Sequence, residues 1–157
     1  MNVRAAKESE IDRLAEIWYD AWQDAHAEIL PAELARLRTL DSFRQRLHAA
    51  LSTVRVADGL GQPAGFCITK GDELYQLFVS ASARGSGVAV ALIEDAESRM
   101  RAEGIERAWL ACAIGNEPAA RFYEKRGWYR VGEMVNRLDT TEGEFLLDVW
   151  RYEKDLG

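Results

Sequence analysis

The sequence predicts an α/β fold of the α+β kind, a mixed sheet flanked by helices, and three observations lead there. Apolar residues recur at helical spacing over the first third of the chain. The period then shortens to that of strands between residues 53 and 79. Finally, a strand, a glycine loop, a helix and a second strand follow one another from Glu73 to Ala113. Strands joined through a helix take a right-handed crossover and lie parallel. Strands joined by tight turns lie antiparallel, so one sheet is expected to hold both kinds of pairing.

Val3 opens a short extended segment. Ile11, Leu14, Ala15, Trp18, Ala21, Trp22 and Ala25 then mark one face of a first helix, from about residue 9 to 26, with Ser9 and Asp12 as its capping box. Pro31 interrupts the pattern, and a second helical stretch runs through Leu34, Leu37, Leu40, Phe43, Leu47 and Leu51 with a break near Thr39 to Asp41. Thr53 to Ala57, Ala64 to Thr69 and Glu73 to Val79 read as a three-stranded meander, turning at Asp58-Gly59-Leu60-Gly61 and at Gly71-Asp72. From Gly87 the chain is helical again, with Val88, Leu92, Ala96 and Met100 on one face and Gly104 at its end. Ala108 to Ala113 is nearly all apolar, as expected of a strand covered on both faces. Pro118 suits the first turn of a last helix through Phe122 and Tyr123, ended by Gly127, and Trp128 to Val135 and Phe145 to Tyr152 form a closing pair of strands.

No repeat, low-complexity tract or linker divides the 157 residues, so a single domain over residues 1–157 is expected, 48% hydrophobic and 29% charged. The net charge of −6 repels polyanions, which argues against a nucleic-acid partner and leaves a small or basic one. Cys67 and Cys112 sit in apolar runs without metal-site spacing, so they read as core thiols and no metal is expected. The start Met1-Asn2-Val3-Arg4 lacks the layout of a signal peptide, and no stretch is apolar for long enough to span a membrane. A cytoplasmic protein without a membrane partner is the expectation.

The chemistry concentrates in Leu77-Phe78-Val79-Ser80-Ala81-Ser82-Ala83-Arg84-Gly85-Ser86-Gly87-Val88-Ala89, an apolar strand that runs through a glycine loop into a helix. Such a junction aims backbone N–H groups at an anion, helped by the positive end of the helix; a plain turn is the alternative. The Walker A loop is excluded because no Lys-Ser or Lys-Thr pair follows the glycines, and the Rossmann loop because position 90 is Val90.

Arg84-Gly85-Ser86-Gly87-Val88-Ala89 resembles the Q/R-x-x-G-x-G/A signature of the GNAT acetyltransferases. Asn116-Glu117-Pro118-Ala119-Ala120-Arg121-Phe122-Tyr123-Glu124-Lys125-Arg126-Gly127-Trp128 is similar to that family's N-x-x-A-x-x-F-Y-x-x-x-G-F segment, with Trp128 in place of the usual Phe. The likeness covers roughly residues 64 to 128. It departs from the pattern at Ala81, where a Pro is frequent, at Ala89, and at Ala111, where many relatives carry a glutamate that handles the substrate's proton.

The resemblance implies a mostly antiparallel mixed sheet with a splayed parallel pair, and transfer of acetyl from acetyl-CoA to a primary amine of a small molecule or peptide. It places Gly85, Ser86, Gly87, Val88, Ala89 and Val90, with Arg84, on the CoA pyrophosphate. Leu77, Phe78 and Val79 lie beside pantetheine, a strand N–H near Leu77 supports the developing oxyanion, and Asn116 contacts the cofactor. Tyr123 corresponds to the tyrosine that returns a proton to the leaving thiolate. Glu73 is the candidate base for the amine, with His26, Glu28 and Asp72 as alternatives; an ordinary solvated residue after a turn is the other reading of Glu73. Trp18, Tyr19, Trp22, His26 and Tyr75 are candidate lining residues of the acceptor site. A homodimer is common in the family. A non-catalytic acyl-CoA-binding or regulatory domain is the competing function.

Overall fold

The computed structural model describes residues 2–157. After the short strand β1 (Val3–Ala5) come the helices α1 (Ile11–His26), α2 (Ala32–Leu37) and α3 (Leu40–Ala50). Strands β2 (Val54–Gly59), β3 (Gln62–Lys70) and β4 (Glu73–Val79) form the meander. Helix α4 (Val88–Ala102), β5 (Arg107–Ala113), α5 (Glu117–Lys125) and the hairpin β6 (Tyr129–Thr140) and β7 (Gly143–Asp155) complete the order. The strands lie in one sheet as β1-β2-β3-β4-β5-β7-β6, antiparallel throughout except for β4 against β5.

Alternation along the strands sends side chains to two cores, one on each face of the sheet. Val54, Val56, Phe66 and Ile68 meet Leu14, Trp18, Phe43 and Leu47 of α1 and α3. Ala57, Ala64, Cys67, Leu110 and Tyr152 meet Leu92, Ile93, Ala96 and Met100 of α4. The α4 stripe read from the sequence is buried as expected.

Three local expectations are corrected. Glu10, not Ser9, accepts the Lys7 N–H at 2.9 Å ahead of α1, and it also takes Arg4 Nη2 at 2.6 Å; Asp12 instead accepts Arg44 Nε at 2.8 Å. The final hairpin is longer than its apolar runs, because β6 and β7 stay paired to Thr140 and Gly143 through residues that alternate with polar ones. β5 is not covered on both faces: Ala108, Leu110 and Cys112 are buried, while Trp109 and Ala111 on the other side are only half-buried. That side opens onto a hollow.

Candidate active site

The hollow follows from how β4 and β5 part. Their parallel register has one pair, Glu73 with Trp109. It is fixed by the Trp109 N–H on Asp72 O at 3.0 Å and by Trp109 Nε1 on Asp72 Oδ1 at 3.1 Å. Past that pair the two strands are not laddered, and an edge of β4 is left with backbone groups to satisfy. Two concavities open around it.

The first, about 300 Å³, runs from Leu77, Phe78 and Val79 to Arg84, Asn116 and Ala119, with Ala21, Asp24 and Ala25 of α1 as its far wall. Arg84 Nη2 reaches Asp24 at 2.9 Å, closing the loop onto α1 through an exposed pair. The loop is exposed from Arg84 to Gly87, and Gly85 and Gly87 take φ of 78° and 91°, a region that disfavours any Cβ. Gly87 stands at the N-cap of α4, so the N–H groups of Val88, Ala89 and Val90 that follow have no acceptor within the helix. Val88 points its side chain into the core while Ala89 and Val90 are half-buried. Ser86 differs from the rest, because its N–H and its hydroxyl both donate to Ala83 O. Asn116, which lines this groove, caps α5 by accepting the Ala119 N–H at 3.4 Å.

The second concavity, about 100 Å³, is also walled by α1, through Trp18, Trp22 and His26. Trp18, Trp22, His26, Glu73, Tyr75 and Ala111 all line it, so four of the five aromatic lining residues of the sequence reading meet there with the candidate base. Burial raises the Glu73 carboxyl above its ordinary range, with Asp72 adding to the rise and Lys70 and Arg151 opposing it. His26 is lowered to about 4 by burial, against which the Trp22 backbone works weakly, so its imidazole is neutral. Tyr75 accepts Arg46 Nη2 at 2.8 Å and carries Lys70 Nζ 3.6 Å from its ring centre. Burial pushes the Tyr75 hydroxyl up, but Arg46 and Lys70 outweigh it and the net shift is down.

Other expected residues lie elsewhere. Tyr19 packs on Phe43, 6.4 Å between ring centres, and does not face the hollow. Glu28 is exposed in the turn after α1, and Asp72 is the tether of Trp109. Tyr123 borders neither concavity; its ring lies 6.3 Å from those of Trp128 and Tyr152, and its hydroxyl has no hydrogen-bond partner among the described residues. Burial, with Cys112 and Cys67 adding to it, holds that hydroxyl well above the usual phenol range, hence protonated. Both thiols are buried and pushed up to about 12 by that burial, as suits core cysteines. Among the described residues no group of three or more His, Cys, Asp or Glu could hold a metal, and no helix is long and apolar enough to cross a membrane.

Sequence reasoning missed Arg38 and Arg46, which also line the hollow, together with Asn136, Leu138, Leu147 and Val149 of the last hairpin. The sole signal in the sequence was an arginine inside an apolar helical period, and that does not reveal a cavity.

The family model described as "Acetyltransferase (GNAT) family" matches residues 11–128. No curated protein sequence matches the chain. Among solved structures, the chain is similar to a GCN5-related N-acetyltransferase from Rhodopseudomonas palustris, at 23% identity over 98% of this chain and 94% of that one, with a TM-score of 0.77. It is also similar to YjaB from Escherichia coli, at 29% identity over 95% of each chain and a TM-score of 0.72. A third likeness is to yncA from Salmonella typhimurium, solved with its cofactor acetyl-CoA, at 17% identity over 99% and 94% and a TM-score of 0.72.

Proposed function

The chain belongs to the acetyltransferase (GNAT) family, and we propose that it is a single N-acetyltransferase domain over residues 1–157 that moves acetyl from acetyl-CoA to a primary amine. The observation that carries this reading is the splay of β4 from β5, with a groove on one side and a hollow containing Glu73 on the other. The yncA structure holds acetyl-CoA, which supports the same cofactor here.

The groove fits such a cofactor. Its floor is the unladdered edge of β4 and Asn116 stands at its side; the N–H groups of Val88, Ala89 and Val90 at the head of α4, which have no acceptor within the helix, suit a pyrophosphate. Ser86 joins them only after its N–H leaves Ala83 O. When bound, acetyl-CoA supplies a thioester carbonyl whose C–S bond breaks as the new C–N bond forms.

The protein's own groups manage the protons. An alkyl ammonium has a pKa of about 10 and must lose a proton before nitrogen can attack. Glu73, raised by burial, takes that proton from the acceptor side. A β4 N–H near Leu77 donates to the carbonyl oxygen as charge builds on it. Tyr123, kept protonated by burial, gives its hydroxyl proton to the departing thiolate, and the second proton that the nitrogen sheds on becoming an amide restores it.

The position of Tyr123 outside the groove lining favours a second reading, a domain that binds acyl-CoA without turning it over. Two measurements decide. Acetyl-CoA at a hundred times its Kd stabilises the fold by about 2.7 kcal/mol, and ATP does not. Free thiol release across an amine panel then separates an enzyme from a binding domain; a melting shift with ATP and none with acetyl-CoA overturns both readings.

A further inference from the structure

Two arginines line the acceptor hollow with no carboxylate at ion-pair distance from either. Arg38 is only 4% exposed, and its one hydrogen bond is from Nη1 to the Asp139 backbone oxygen at 3.0 Å. Arg46 is half-buried, gives Nη2 to Tyr75 Oη and stacks 4.3 Å from the Trp18 ring centre. Neither forms an ion pair among the described residues. Their neighbours in sequence do so on the outside, Arg36 with Glu142 at 3.0 Å and Arg44 with Asp12 at 2.8 Å. Burying a guanidinium is costly unless a carboxylate or comparable anion answers it, and a planar guanidinium matches a carboxylate with two parallel hydrogen bonds. Burial lowers Arg38 to about 10, with Arg46 adding to the fall and Tyr75 and Asp139 opposing it.

The hollow holds both signs of charge: Glu73 and Tyr75 stand two residues apart on β4, Tyr75 accepts Arg46 Nη2, and Arg38 shares the same lining. At about 100 Å³ the hollow is a compact space that suits a small occupant.

We propose that the acceptor is a small zwitterionic amine, an aminocarboxylate, whose carboxylate is held by Arg38 and Arg46 while its nitrogen lies toward Glu73. This rests on the reading of the hollow as the acceptor site of an acetyltransferase. It also sets the local charge against the net −6 of the chain, which favours a cation in bulk but does not govern a cavity with its own unpaired cations.

The test is binding first and turnover second, on the CoA-loaded protein at low salt. Propionate and butyrate are titrated calorimetrically against propionamide and butyramide. The carboxylates are expected to bind at least tenfold more tightly than the amides, and Arg46→Gln, still folded by its melting curve, is expected to lose roughly 10- to 100-fold of that binding. Arg38→Gln should behave alike, and Arg46→Gln carries the test if Arg38→Gln fails to fold. Equal binding of carboxylate and amide, or unchanged binding in a folded variant, overturns the proposal whatever the turnover shows. In thiol release, β-alanine and 4-aminobutyrate should exceed propylamine and butylamine at least tenfold in kcat/KM, with that preference lost in Arg46→Gln at unchanged KM for acetyl-CoA. Equal turnover of both sets also overturns it. Carboxylate binding without any turnover supports the anion site and counts against acetyl transfer instead.

Discussion

The Trp128 indole Nε1 donates to Glu97 Oε2 at 3.2 Å, beneath the surface where the loop after α5 meets α4. Glu97 is 6% exposed and also takes Lys154 Nζ at 2.7 Å, so the tryptophan completes the coordination of a buried carboxylate. A phenylalanine, usual at this place in the family, has no donor to offer. Trp128→Phe is therefore expected to cost about 1 to 2 kcal/mol, the sum of a lost hydrogen bond and a small void. Glu97→Ala strands the Lys154 ammonium and should cost about 3 kcal/mol or more. Chemical denaturation of both variants checks the order, and a Glu97→Met/Lys154→Met double variant should recover most of the loss.

Gly65 sits where β3, β4 and α4 converge. A Cβ there would lie 2.9 Å from Phe78 O and from Val88 Cγ1, and 3.1 Å from Leu92 Cδ1. Leu92 can rotate, but the Phe78 oxygen belongs to the strand that floors the groove. Gly65→Ala is expected to destabilise by about 1 to 3 kcal/mol and to weaken CoA binding. Calorimetry that finds unchanged affinity would mean β4 absorbs the methyl without moving the groove.

Tyr123→Phe removes one oxygen that has no partner in the protein, so folding and the KM for acetyl-CoA should change little. General acid catalysis contributes about 10²- to 10⁴-fold, and kcat should fall by that factor. A kcat equal to wild type, with chemistry shown to limit turnover, removes the acid role.

For Glu73→Gln the loss of turnover should be greatest at low pH and smallest near pH 9, where more of the acceptor is already neutral. Because burial raises the Glu73 carboxyl, wild-type kcat should decline on acidification at a pH above the ordinary carboxylate range. A pH–rate profile that the substitution shifts uniformly, or not at all, assigns the proton to water or another group.

His26 links stability to pH. The native imidazole titrates at about 4 and the unfolded one at about 6.5. Below 6.5 the unfolded chain binds a proton that the native state refuses, so the contribution is fully present above 6.5 and is lost as pH falls toward 4. The loss approaches roughly 3 kcal/mol at its end. His26→Gln should show a flatter fall between pH 7 and 4.5 than wild type in parallel melts.

The order of elements was legible in the sequence because it depends on neighbours along the chain. The period of Val88, Leu92, Ala96 and Met100, the turn at Gly71-Asp72 and Pro118 in the first turn of α5 act within a few residues, and each appears where local chemistry put it. The strand-to-loop motif likewise fixed the order β4, α4, β5 and hence their parallel pairing. Tertiary structure decided everything that depends on residues far apart. Arg38 comes from the end of α2, Tyr75 from β4 and Leu147 from the last hairpin, yet they share one hollow. Trp128 was visible as a departure from the family pattern, but its partner Glu97 lies on α4, 31 positions away. The splay that separates groove from hollow is set by one laddered pair, Glu73 with Trp109, and by what packs behind each strand. Cavities and ion pairs are properties of surfaces brought together by burial, and no periodicity along a single chain records which surfaces those will be.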